Sequence, residues 1–201
     1  VINKNWGLKP YQSLSIAVCA VVIIGSFVPN ALGLGTDALV SLLNTPQDLS
    51  FIATLLLAKI ILTSICLGFG FFGGVFSPAL LVGAASGALL AKAFEPVVAS
   101  SLTSALTLAG MASVAACVVG APLATVFIVL ELTLSYEFTL ITLLAVIVSQ
   151  VVSSNIFGHS FFDRQLMDRG IDLRFGRNQL SLNQTTVGGY ATADYIAVPT
   201  G

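Results

Sequence analysis

Four stretches of this chain carry no Asp, Glu, Lys or Arg: residues 10–36, 60–91, 96–130 and 138–162. Each can hold a helix of roughly 20 apolar residues, the length that crosses a bilayer, and some can hold two shorter ones. Charged residues make up only 8% of the 201, against about 25% in an average soluble domain, while 56% are hydrophobic. So few polar side chains cannot give a core a water-compatible exterior. The fold class that follows is an all-α membrane protein, integral and multi-pass, with the lipid bilayer as its solvent.

The remaining charges sit at the margins. Lys4 and Lys9 precede the first run, and Arg164, Arg169, Arg174 and Arg177 follow the last. Basic residues flanking a span stay on the cytoplasmic side, so both ends are expected in the cytoplasm. The opening residues show no basic segment, short apolar core and cleavage site, so no signal peptide is read. Val1 in place of Met suggests a fragment or a processed chain. A net charge of −1 supplies no overall field, and no basic stripe for nucleic acid is present. Cys19, Cys66 and Cys117 lie in apolar runs without paired spacing and read as small buried hydrophobes.

Glycine and proline divide the runs. Helices are predicted at 11–28, 37–44, 51–69, 77–94, 101–118, 122–135, 138–157 and 160–169. Pro29-Asn30 and Gly33-Leu34-Gly35 end the first, Gly68 to Gly74 end the third, and Gly120-Ala121-Pro122 split the 96–130 run. Several are too short to cross a bilayer squarely. Broken helices at membrane depth usually line a cavity or site. Residues 171–201 are richer in Asn, Gln, Thr and Gly and lack a long apolar run. They read as a soluble tail or the start of a soluble domain, too short to bury a core alone. No repeat of 20–50 residues is evident.

The stretch GGVFSPALLVGAASG, residues 73–87, opens the fourth helix. The first N–H groups of a helix have no internal acceptor, and the macrodipole adds roughly half a positive charge there. At bilayer depth such an end is a site for an anion. Gly73 and Gly74 have no side chain to block close approach, so the N–H groups of Val75 and Phe76 can meet an ion, and Pro78 fits the first turn, where its missing donor costs little. The stretch holds no Lys or Arg, which suits a conduction path: partial backbone charge binds an ion without trapping it. The other reading is helix packing, since Gly83 and Gly87 make a GxxxG step. The residues by themselves leave both open.

GGVFSPALLVGAASG resembles the GGxFxP signature of the CLC family of chloride channels and chloride/proton exchangers. GAPLATVFIVLELT at 120–133 is similar to the family's proline-led helix ending in an acidic residue and threonine. LAGMASVAACV at 108–118 resembles the helix before it, and SFFDRQLMDRGI at 160–171 the short final helix. Order and spacing agree from about residue 10 to 172. The resemblance implies the second half of a CLC-type inverted repeat of broken, tilted helices, with residues 1–170 as membrane domain and 171–201 as cytoplasmic tail or the start of a CBS-type domain. It implies chloride as the transported ion, protons where the protein is an exchanger, and a homodimer in contact through 122–135 and 138–157. It carries Val75 and Phe76 over as backbone anion donors. The family's GSGIP-type and GxxGP-type loops belong to the first half and do not occur in this sequence. The family's inner-site tyrosine falls here on Phe162, which has no hydroxyl; an apolar gate or packing role is preferred for it over direct ion contact.

Lys59 interrupts an apolar segment, where a cation is a functional candidate by default. It is read instead as reaching an interface or pairing with a carboxylate, Glu131 being one candidate. Glu131 itself is read as a satisfied carboxylate at a helix end. His159 has no Cys, Asp or Glu at ligand spacing, so it is read as a capping or interfacial group and no metal is expected. Phe71 and Phe72 are assigned to packing. No GxSxG, HExxH, phosphate loop or carboxylate pair appears, so no enzyme and no cofactor are expected. The leading reading is passive or proton-coupled chloride transport in a bacterial plasma membrane. Its rivals are a secondary transporter of another anionic substrate and a membrane subunit that only packs against a partner.

Overall fold

The computed structural model describes residues 9–69, 71, 73–94 and 100–168. Every regular element among them is helical: α1 (Pro10–Phe27), a 3-10 turn (Pro29–Ala31), α2 (Thr36–Asn44), α3 (Leu49–Gly68), α4 (Phe76–Ala93), α5 (Ser100–Val119), α6 (Pro122–Thr133), α7 (Tyr136–Ile156) and α8 (Phe161–Asp168). Each helix predicted from the sequence lies within two residues of these limits. The 3-10 turn was not expected. The chain divides into two compact units, residues 1–161 and residues from Phe162 onward. The predicted 171–201 tail lies outside the described residues.

The breakers act by ordinary backbone chemistry. α5 ends on Gly120, whose φ of +77° makes a left-handed cap. Ala121 then leaves the helical region, at φ −127° and ψ 70°, as a residue before proline is pushed to do, and Pro122 opens α6. α6 has 12 residues, about 18 Å at 1.5 Å per residue, well short of the roughly 30 Å hydrocarbon core. Among the described residues four stretches, within α3, α4, α5 and the segment that begins with α7, are long and apolar enough to span.

The first unit is organised around the α4–α5 pair, which makes the most extensive contact, with α3 and α2 against α4 and α7 and α6 against α5. The α4–α5 seam is built from small residues. Ala84, Ala85, Ala88 and Ala91 of α4 and Ala105, Ala109, Ala112 and Ala116 of α5 are buried. Gly83 and Gly87 face Gly110 and Leu106 so closely that a Cβ on any of the three glycines would collide with backbone of the other helix. Lipid tails are as apolar as leucine, so close van der Waals approach must hold such helices together.

Many polar side chains in the helices are satisfied locally, Thr142 Oγ1 and Gln150 Oε1 of α7 being buried exceptions without a partner among the described residues. The hydroxyls of Thr54, Ser86, Thr107 and Thr139 each donate to the carbonyl four residues back, at 2.7 to 2.8 Å, which removes the cost of an unpaired donor in lipid. Large apolar side chains point outward instead, among them Val22, Ile23 and Phe27 of α1, Leu123 and Phe127 of α6, and Leu144 and Val148 of α7.

Three expectations need correction. Cys19 is exposed, not buried, because α1 packs only lightly, against α3 and the 3-10 turn. Glu131 is exposed and has no partner among the described residues, since α6 turns that face away from α5 and α7. Lys59 neither reaches a surface nor meets a carboxylate among the described residues: it is 3% exposed, and it donates to two backbone carbonyls.

Candidate functional site

α4 begins at Phe76, with Val75 as its N-cap residue at φ −82° and ψ −20° and no side chain capping it. Helices normally start on Ser, Thr, Asp or Asn, whose oxygen accepts from one of the orphan N–H groups. A valine cannot. The first backbone bond of the helix runs from the Ala79 N–H to the Val75 carbonyl at 3.1 Å. The N–H groups of Phe76 and Ser77 therefore have no acceptor within the helix, and Pro78 has no N–H to satisfy. An uncapped helix start at membrane depth is a concentrated positive end.

The approach to this end is open. A Cβ built on Gly73 or Gly74 would find nothing within 4 Å, and neither residue has a positive φ among the described backbone. The two glycines, Val75, Phe76 and Pro78 are thus brought together at one helix start. Phe76 presents its backbone there, while its ring is 39% exposed. Phe71, assigned to packing, is half-buried beside the turn. Phe72 lies outside the described residues. Phe162 is the second residue of α8 and the first of the second unit, and it is 38% exposed. His159 is exposed and follows Gly158, whose φ is +77°.

A cavity of about 160 Å³ reaches the same turn. Its lining includes Gly73, Gly74 and Pro78 from the α4 entry, Thr63 and Cys66 from α3, and Lys59. The loop after the 3-10 turn closes one side. Lys59 Nζ donates to the carbonyl of Ala31 at 3.0 Å and of Gly33 at 2.8 Å. Ser77 Oγ, in the first turn of α4, donates to the Leu34 carbonyl at 2.9 Å. Gly35 ends the loop at φ +75°, and a Cβ there would lie 2.6 Å from Leu81 Cδ2. One short loop is thus fastened to α3 by an ammonium and to α4 by a hydroxyl. Sequence reasoning noticed Lys59 but did not connect it with the turn: its partners are main-chain oxygens 26 and 28 residues earlier, and main-chain oxygens leave no mark in a sequence.

Broken helices and apolar spans held by small-residue packing define an all-α polytopic membrane protein. The chain belongs to the voltage gated chloride channel family, whose pattern residues 1–154 match. Among its relatives is the voltage-gated ClC-type chloride channel ClcB of Escherichia coli O81 (strain ED1a), 29% identical over 157 residues, which are 77% of this chain and 38% of that protein. The ClcB of Escherichia coli strain K12 / DH10B matches to the same extent. A ClcB-like protein of Ralstonia nicotianae is 29% identical over 159 residues, 77% of this chain and 37% of its own length. The chain thus spans well under half the length of these curated relatives.

Proposed function

We propose that the protein moves chloride across a membrane and that this chain supplies one wall of the pathway, with the N–H groups of Val75 and Phe76 as anion donors. One observation carries the reading: the glycines of a single stretch fall into two kinds. Gly83 and Gly87 are required by packing, since a side chain would strike α5. Gly73 and Gly74 meet nothing and adopt no left-handed backbone. Neither close packing nor conformation explains them, whereas open access to orphan N–H groups does.

The cavity volume of about 160 Å³ is below the roughly 300–1,000 Å³ of sites for larger organic ligands. Its polar lining is glycine backbone, the Thr63 hydroxyl, the Cys66 thiol and the Lys59 ammonium, which suits a small monovalent anion better than an organic one. The relatives named as chloride channels point to the same ion. The substrate is carried and not transformed, so the reading involves no catalysis and no cofactor. It extends to a homodimer in contact through the outward apolar faces of α6 and α7, a bacterial plasma membrane with a cytoplasmic C-terminus, and Phe162 as an apolar gate. Residues 1–170 are then the membrane domain and 171–201 the cytoplasmic tail. Transport is passive or coupled to protons.

The test is chloride efflux from liposomes holding the full-length protein, with internal pH followed in the same sample. Efflux with proton movement identifies an exchanger, and efflux without it a channel. No efflux from folded, inserted protein would sink the pathway reading. Val75→Pro removes one N–H donor at a backbone angle proline tolerates. A hydrogen bond to a charged group contributes about 1.5–3 kcal/mol, so chloride affinity should fall roughly tenfold or more, as read by titration calorimetry.

A further inference from the structure

Lys59 sits in the middle of α3, almost wholly buried. No carboxylate pairs with it among the described residues. Its partners are two carbonyls, of Ala31 and Gly33, which supply dipoles but no opposite charge. An ammonium has three donors, and the third has no acceptor among the described residues. Buried charges in proteins are ordinarily paired, and intramembrane cations face a partner or a polar cavity. Lys59 lines a largely apolar cavity together with Gly73, Gly74 and Pro78 at the start of α4, with Thr63 and Cys66 as its other polar side chains.

We infer that Lys59 is a charge-bearing positioning residue of the anion site, its ammonium the counter-charge for a small monovalent anion in this cavity. The inference rests on the proposed chloride pathway and deepens it. The helix end supplies directed N–H groups, and Lys59 supplies net charge without which an anion leaving water is poorly compensated. The two carbonyls on the ammonium temper that charge, so the anion is attracted yet released. They also tie the site's rigidity to Lys59. The Ala31–Gly33 turn it holds continues into Leu34, whose carbonyl takes the Ser77 hydroxyl of α4. A cation used only as a structural pin would need the carbonyls and nothing more.

Chloride binding to the full-length protein is measured by titration calorimetry for the wild type, Lys59→Gln and Lys59→Arg, with thermal unfolding recorded without chloride. Gln keeps a donor for the carbonyls but no charge; Arg keeps the charge. The expected result is chloride affinity at least about tenfold weaker in Lys59→Gln, with Lys59→Arg nearer the wild type. Should Lys59→Gln not fold, Lys59→Met is read by the same criterion, since an apolar side chain in place of a buried ion often preserves stability. A neutral variant with wild-type affinity overturns the role of Lys59, as does equal weakening by Gln and Arg, which would mark a purely structural pin. No binding by the wild type overturns the pathway reading itself.

Discussion

At Gly73 and Gly74 a methyl group would touch nothing, so alanine there separates packing from access. Gly74→Ala should leave thermal stability within about 0.5 kcal/mol while lowering chloride flux in the liposome assay; unchanged flux would count against close approach at the α4 entry. Gly35 is the opposite case. Its φ of +75° is unfavourable for any side chain and its Cβ direction points at Leu81. Gly35→Ala should destabilise by roughly 1–3 kcal/mol, seen as a lowered unfolding midpoint in detergent. The positions of Val75 and Phe76 at a helix start were legible because glycine and proline mark it in the local sequence. Lys59 was misread because its partners are main-chain carbonyls from a distant turn. Glu131 was misread because a carboxylate at a helix end looks alike in sequence whether or not a partner meets it.

Among elements, α4 is gripped at two places by different means. Its middle lies on α5 with no room at Gly83, Gly87 or Gly110. Gly87→Leu should force the pair apart and cost at least about 1–3 kcal/mol, detectable as lost monodispersity and an early thermal transition. Its N-terminal turn is held by the Ser77–Leu34 bond. Ser77→Ala should cost only about 1 kcal/mol while loosening the loop that Lys59 also holds. Helix limits were readable to within two residues because charge-free runs and Gly/Pro breaks are local signals. The 3-10 turn at Pro29–Ala31 escaped because three residues carry no periodicity. The GxxxG reading and the anion reading of one stretch proved compatible, since they fall on successive turns of the chain: 73–78 at the entry, 83–87 on the seam.

For the whole molecule, the outward apolar faces set the environment. Alkaline carbonate washing should leave the full-length protein in the membrane fraction, and only detergent should release it. The exposed face of α7 at Leu144 and Val148 belongs to the surface proposed for a homodimer. Leu144→Glu should convert a particle of twice the subunit mass to a single subunit by light scattering, with the helical content retained. What the sequence by itself determined is the solvent, the helix count of the described region and the family, because charge, hydropathy and breaker residues act over a few neighbouring positions. The motif at 73–78 was likewise readable, since a helix start is a local event. Only the tertiary structure decided which glycines lack room and which stand open, and that a lysine from the middle of α3 closes on a turn 26 residues earlier beside the α4 entry. Those facts depend on how separate helices meet, and steric contact and buried charge are properties of that meeting.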